Sequence, residues 1–352
     1  MANGVTSNRR DVVARYRRGP AAALAATALL TTSAWSAHPR LRGAPTSIQD
    51  ARPAAGTPES ARTDATLARA WLDSLDADAR AAAVSAFDDP DRIAWAYTPR
   101  ERAGGPLGAM DPVARDAARA LVRSGLGRRG AARADGIIEL EGILGEMEFA
   151  AGWARAREVR DPALYVMRTY GVVPAEPAPA PWGWRFEGHH LSVNVTVIDA
   201  TTRVVAPVFM GANPARVPDG PHAGRRVLAA EEDMGRALLR GLDAQRRSTA
   251  IIAERAPADI LSRNDPVAPS LPPAGLAYAD MTTPQQEMLV ALLDVYLKRM
   301  APDQSSMQRQ RIETAGLDGI RFAWAGSAEP GEPHYYRVQG PTFLIEYDNV
   351  QN

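Results

Sequence analysis

Histidine is scarce in this chain, five in 352 residues, and two of the five stand together in Trp182-Gly183-Trp184-Arg185-Phe186-Glu187-Gly188-His189-His190. Cysteine is absent, which removes disulfides, thiolate metal sites and thiol nucleophiles together. A metal would have to be held by His, Asp, Glu or backbone oxygen, and His38, His189, His190, His222 and His334 are the whole supply of imidazole. Side chains on a strand alternate between faces. Glu187 and His189 therefore share one face with Leu191, Val193, Val195 and Val197, while His190 shares the other with Phe186, Ser192, Asn194 and Thr196. His189 at the margin of an apolar stripe, with Glu187 beside it, suits a metal ligand or an acid–base histidine oriented by a carboxylate. A purely structural hydrogen-bonded pair suits the same two residues. The two imidazoles point to opposite faces unless a bulge at Gly188 turns one of them.

A second concentration of functional residue types closes the sequence: His334-Tyr335-Tyr336-Arg337, then Glu346 and Asp348, which share a strand face. The candidate assignments are His189, His190 and Glu187 for acid–base chemistry, and His189, His190, His334 and Glu346 for a divalent metal such as zinc, copper or iron. Trp184, Tyr336 and Arg337 are the candidates to contact a small-molecule substrate. The competing reading of Trp182, Trp184 and Phe186 is plain core, because aromatic rings dominate burial.

Other signals fail on context. Gly125-Leu126-Gly127-Arg128-Arg129-Gly130 has dinucleotide-loop spacing but follows a predicted helix and not a strand, so a helix end and a turn explain it and no nucleotide cofactor is expected. Asp88-Asp89-Pro90-Asp91 lacks the glycine and glutamate of a calcium loop. The 41 basic and 41 acidic residues cancel, so no overall field draws the chain to nucleic acid.

The elements that must position these residues begin after an unusual N-terminus. Five arginines between Arg9 and Arg18 precede an apolar run, Ala21 to Leu30, that is too short to span a bilayer. Residues 1–37 are expected to be an export segment directing the protein to the periplasm or outside the cell. Residues 38–62, rich in Pro, Gly, Ala and Ser, read as a linker, and residues 63–352 as a single α+β domain. Helices are predicted around Leu67 to Leu75, from the Asp111-Pro112 start, from Ile137 to Phe149, through Arg225 to Arg255, and from a capping box at Thr283-Pro284-Gln285-Gln286. Ile93 to Tyr97 is a short strand candidate. A long hairpin is predicted over Trp182 to Met210, turning at Asp199-Ala200-Thr201-Thr202, and three further strands lie between Gly319 and Tyr347. The expected fold is a mixed, largely antiparallel sheet with this Trp-rich hairpin at its centre, packed against N-terminal and C-terminal helical blocks. No internal repeat is legible.

Trp95-Ala96-Tyr97-Thr98-Pro99, the Trp182–Ser192 stretch, Phe209-Met210-Gly211-Ala212-Asn213-Pro214, Phe322-Ala323-Trp324-Ala325-Gly326, His334-Tyr335-Tyr336-Arg337 and Phe343-Leu344-Ile345-Glu346-Tyr347-Asp348-Asn349 together resemble the domain of unknown function 3500 family. The resemblance runs from about Trp71 to the end. It supplies no reaction. It implies a continuation past Gln351-Asn352 that carries a His-x-His pair and a Trp-Arg-Asp, so the domain is expected to be C-terminally truncated here. It also implies that such a pair, with His189 or His190, would make a metal site. The expected function is that of an exported metal-dependent enzyme, a hydrolase or an oxidoreductase. The alternative is a non-catalytic binding or scaffold domain presenting the Trp-rich hairpin as a surface.

Overall fold

The computed structural model describes residues 26–27, 58–176 and 180–350. Most of the predicted export segment and linker lies outside the described residues. The elements run β1 (Ala26–Thr27), α1 (Pro58–Asp73), α2 (Ala77–Ala83), β2 (Val84–Ser85), β3 (Gly105–Pro106), α3 (Pro112–Gly125), α4 (Arg128–Ala150), α5 (Ala156–Val159) and β4 (Val166–Tyr170). They continue with β5 (Trp182–Gly188), β6 (Leu191–Val197), β7 (Arg203–Met210), α6 (Ala229–Gly241), α7 (Ala244–Ala250), β8 (Ile251–Ala253) and β9 (Leu276–Ala277). The last elements are α8 (Thr283–Leu297), α9 (Pro302–Ala315), β10 (Arg321–Gly326), β11 (His334–Gly340) and β12 (Phe343–Asn349). The fold is α+β. No described helix is long and apolar enough to cross a membrane.

The helix starts follow their local chemistry. Asp111 accepts from the Ala114 N–H at 2.8 Å with Pro112 in the first turn, as the sequence predicts. The α8 box sits one residue earlier than expected: Thr282 is the cap, and its N–H donates to the Gln285 side chain at 3.0 Å. Ile93 to Tyr97 is not a strand. Its backbone is drawn to a side chain and not to a ladder, since the Ala96 N–H donates to the Glu187 carboxylate at 2.8 Å.

Two six-stranded sheets form where one was expected. In the first the order is β2-β4-β5-β6-β7, with β3 also on β4; in the second it is β8-β10-β11-β12-β1, with β9 also on β10. Among the described strands only β2 on β4 and β8 on β10 are parallel. One continuous apolar core passes through both, from Trp71 and Trp184 to Leu289, Tyr336 and Tyr347, each large side chain contributing about 1.5–3 kcal/mol by leaving water.

The reason for two sheets is a duplication, against the expectation of no internal repeat. α1-α2-β2 and α6-α7-β8 share Arg-Ala-x-Leu-x-x-Leu-Asp-Ala-x-x-Arg, at Arg69–Arg80 and Arg236–Arg247, with Asp76 and Asp243 capping α2 and α7. After β3 and β9 come equivalent turns, in which the Leu107 and Tyr278 N–H groups donate at 2.8 Å to the carbonyls just ahead of β4 and β10. Helix pairs α3-α4 and α8-α9 follow. Gly171 and Gly326, with φ of +81° and +84°, then end β4 and β10. Arg185-Phe186-Glu187-Gly188 matches Arg337-Val338-Gln339-Gly340, each leading into a two-residue turn closed by Gly188–Leu191 or Gly340–Phe343. The buried contacts match as well: Trp184 Nε1 donates to Asp64 on α1, and the Tyr336 hydroxyl to the Glu231 carbonyl on α6. Beside β12, in the place that β7 has beside β6, lies β1.

Candidate metal centre

The predicted long strand through Glu187, His189 and Leu191 is broken. β5 ends at Gly188, β6 starts at Leu191, and His189-His190 is the turn between them. The Asp199 turn exists too, with the Ile198 N–H donating to Thr202 at 2.8 Å, so the segment is a three-strand meander. Strand alternation does not govern a turn, and the two imidazoles converge, their ring centroids 3.5 Å apart. His190 is left-handed, φ +65°, which costs a residue with a Cβ about 1–2 kcal/mol. Both of its backbone groups are held: its N–H donates to Tyr97 at 2.9 Å, and its carbonyl accepts from the Gly211 N–H at 2.7 Å. The Tyr165 hydroxyl fixes the His189 carbonyl at 2.5 Å, and its ring fills the space a Cβ at Gly188 would need.

The carboxylate that meets His189 is Glu141 of α4 and not Glu187. Its Oε2 lies 2.7 Å from His189 Nδ1. One potential ligand atom from each of Glu141, His189 and His190 lies within 4.8 Å of the others, and among the described residues no further His or acidic group joins them. All three are buried, at 2%, 4% and 2% exposure. Burial pushes the Glu141 carboxyl up to about 8, against the pull of Arg160. Burial also drives both histidines well below their ordinary value; Arg160 adds to this at His189, and His189 and Arg160 add to it at His190. The shifts all favour the uncharged forms, a protonated carboxyl beside two neutral imidazoles. His190 Nε2 is buried and has no hydrogen-bond partner among the described residues, a loss of about 1–3 kcal/mol if nothing else engages it.

Two arginines border the cluster. Arg160 Nη1 stands 3.2 Å from His189 Nδ1 while the guanidinium pairs with Glu148 through contacts of 2.8 and 3.1 Å. Arg102 takes Glu187 at 2.9 Å and the carbonyls of Thr98 and Gly188 at 2.8 and 3.1 Å, which ties the 96–102 segment over the turn. Glu187 also accepts from Ser192 and Ala96; it organises the strap and does not reach the imidazoles.

The remaining sequence candidates lie in the second sheet or in the core. His334 is stacked on Trp324 at 5.2 Å; its Nε2 accepts from Arg236 at 3.4 Å and its Nδ1–H donates to the Glu332 carbonyl at 2.8 Å. Glu346 accepts the Leu261 and Ser262 N–H groups and the Tyr335 hydroxyl. Arg337 donates to the Pro272 carbonyl at 2.6 Å. Trp184 and Tyr336 are buried between sheet and helix and form core. Glu141, Arg160, Arg102 and Tyr165 were not among the sequence candidates. Glu141 alone left a signal there: it stands one turn after Ile137 and one before Leu144, an acid on an apolar helix stripe.

Two imidazoles and one carboxylate match the donor set of mononuclear zinc hydrolases and of non-haem iron centres, with coordination positions left for water or substrate. No curated protein and no solved structure matches the chain. A family model described as "Protein of unknown function (DUF3500)" matches residues 58–352, the span that carries both sheets and the buried Glu141–His189–His190 group, and the chain belongs to that family.

Proposed function

We propose that Glu141, His189 and His190 hold a divalent transition-metal ion, and that the protein is an exported metal-dependent enzyme, hydrolytic when the ion is zinc and oxidative when it is iron or copper. The observation that carries the reading is the convergence of three ligand groups in a buried place where His190 Nε2 has no other partner. Neutral imidazoles are the ligating form, and an ion would displace the proton that burial keeps on Glu141. When bound, the metal would polarise substrate or activate water. The chain's own part is to hold the imidazoles through the strained turn and to keep Arg160 on Glu148, which offsets the guanidinium's repulsion of a cation. Export rests on the arginine-then-apolar order of residues 1–37 and would appear as N-terminal processing on expression, which would remove β1 and leave β12 as the edge of its sheet.

Elemental analysis of the purified full chain tests the centre. Wild type, His334→Ala and Glu346→Ala are expected to carry about one ion per chain, whereas His189→Ala, His190→Ala and Glu141→Ala lose at least about 100-fold in affinity. Equally low metal in the wild type and in all five variants after reconstitution with zinc, iron(II) and copper(II) would sink the proposal.

A further inference from the structure

The duplication sets Ala65 on α1 against Glu232 on α6, four residues ahead of Arg69 and Arg236 respectively. In the C-terminal half the Glu232 carboxylate is taken by Arg236 at 2.5 Å and Arg226 at 2.8 Å, and faces His334 Nε2 at 3.9 Å. Arg236 is completed by the Ala328 carbonyl at 2.9 Å. The carboxylate and the guanidinium are thus partnered within the chain. In the N-terminal half the counterparts of Glu232, Arg236 and His334 are Ala65, Arg69 and Trp182, and all three line a cavity of about 230 Å³. Ala65 supplies a methyl group where its counterpart supplies a carboxylate, and Arg69 Nε is buried with no hydrogen-bond partner among the described residues. Arg62, two helical turns before Arg69, lines the same cavity.

We propose that this cavity binds a small organic monocarboxylate, whose carboxylate takes the place in the N-terminal half that the Glu232 side chain takes in the C-terminal half. Arg69 would meet the carboxylate with its planar fork, the geometry that suits guanidinium best. Trp182 and Val197 supply an apolar wall for the rest of the ligand. Two acids also line the cavity, and they limit the ligand's charge. Asp199 is committed to its own turn, accepting from the Thr201 N–H, the Thr201 hydroxyl and the Thr202 N–H at 2.7, 2.8 and 2.8 Å. Glu176 is exposed and disfavours a second anionic group. The volume lies below the several hundred Å³ of sites for drug-sized ligands, which selects a small acid. This site is separate from the Glu141–His189–His190 group and does not depend on its metal.

Calorimetric titration of the full chain with acetate, hexanoate and benzoate, each beside its neutral amide, tests the proposal. At least one acid is expected to bind about tenfold or more tightly than its amide. Ala65→Glu, which installs the C-terminal half's carboxylate, abolishes that preference, and Arg69→Met reduces acid binding by at least about tenfold while leaving amide binding unchanged. Indifference between acid and amide across all three pairs overturns the proposal, as does acid binding that survives in a folded Ala65→Glu protein. Should Ala65→Glu not fold, Arg69→Met decides alone, and unchanged acid binding in it overturns the proposal equally.

Discussion

The two halves of the molecule build the same hairpin and use it differently. Gly188-His189-His190-Leu191 and Gly340-Pro341-Thr342-Phe343 occupy equivalent positions, each after an Arg-x-Glu/Gln-Gly approach. The first turn carries two imidazoles against a buried helix glutamate. The second carries no ionisable group. The backbones differ too, since His190 is left-handed and Thr342 is not. Scaffold and side-chain cluster are thus separable in this fold: pairing register and the closing glycine recur, whereas the left-handed residue and the Glu141–His189–His190 group belong to one copy.

The largest expected effect tests that separation directly. His190→Ala should empty the centre of metal, and Thr342→Ala should leave metal content untouched; comparable losses from both would break the comparison. Next in size are the closing glycines. A Cβ at Gly188 meets the Tyr165 ring, whereas one at Gly340 meets Phe343 within its own hairpin. Gly188→Ala should therefore destabilise by about 1–3 kcal/mol and weaken metal binding, because Tyr165 holds the His189 carbonyl; Gly340→Ala should leave metal binding intact. Chemical denaturation paired with metal titration checks both.

The third effect is a pH dependence. The Glu141 carboxyl is raised from 4.5 to about 8 in the folded chain, so between those values the native state holds a proton that the unfolded state has released. Above about 6.5, where the imidazoles of His189 and His190 are neutral in the folded and unfolded chain alike, metal-free protein should lose stability as pH rises toward 8; below it those imidazoles, neutral only when folded, act in the opposite sense. Glu141→Gln should flatten the slope by up to about one proton, leaving the part due to Asp348, which burial and the neighbouring Asp259 and Glu346 also push up to about 8. Metal affinity should climb with pH across the same window, since binding displaces the Glu141 proton. The smallest effect separates geometry from ligation. His190→Asn and His190→Thr should both lose the metal, but Thr should be the less stable by about 1 kcal/mol, because a β-branched side chain fits the left-handed region poorly.

Much of this architecture is legible in the residue pattern. The Asp111-Pro112 start, the α8 face and the final strands follow from capping and alternation. The site is harder. Phe186 to Val197 alternates so evenly that the turn at His189-His190 is disguised as continuous strand; what breaks it is tertiary, the hold of Tyr97, Gly211 and Tyr165 on the turn's backbone. Glu141 is 48 residues from His189, and nothing local links an acid on a helix to a histidine in a hairpin. The duplication leaves one trace in the sequence, the run shared by Arg69–Arg80 and Arg236–Arg247; elsewhere what recurs is pairing, turn geometry and close approach, while the side chains diverge, as at Trp184 and Tyr336 or at Ala65 and Glu232.

Gly127 and Gly130 open α4 against the end of α8, where a Cβ on either would run into the carbonyls of Met300 and Arg299. The two copies are therefore not beads on a string. Each sets the backbone position of the other, and cooperativity should span the duplication: heat should melt both halves in one transition, and the slowest-exchanging amides of residues 131–145 and 289–300 should open together. Gly130→Ala is the change that would uncouple them, turning one melting transition into two.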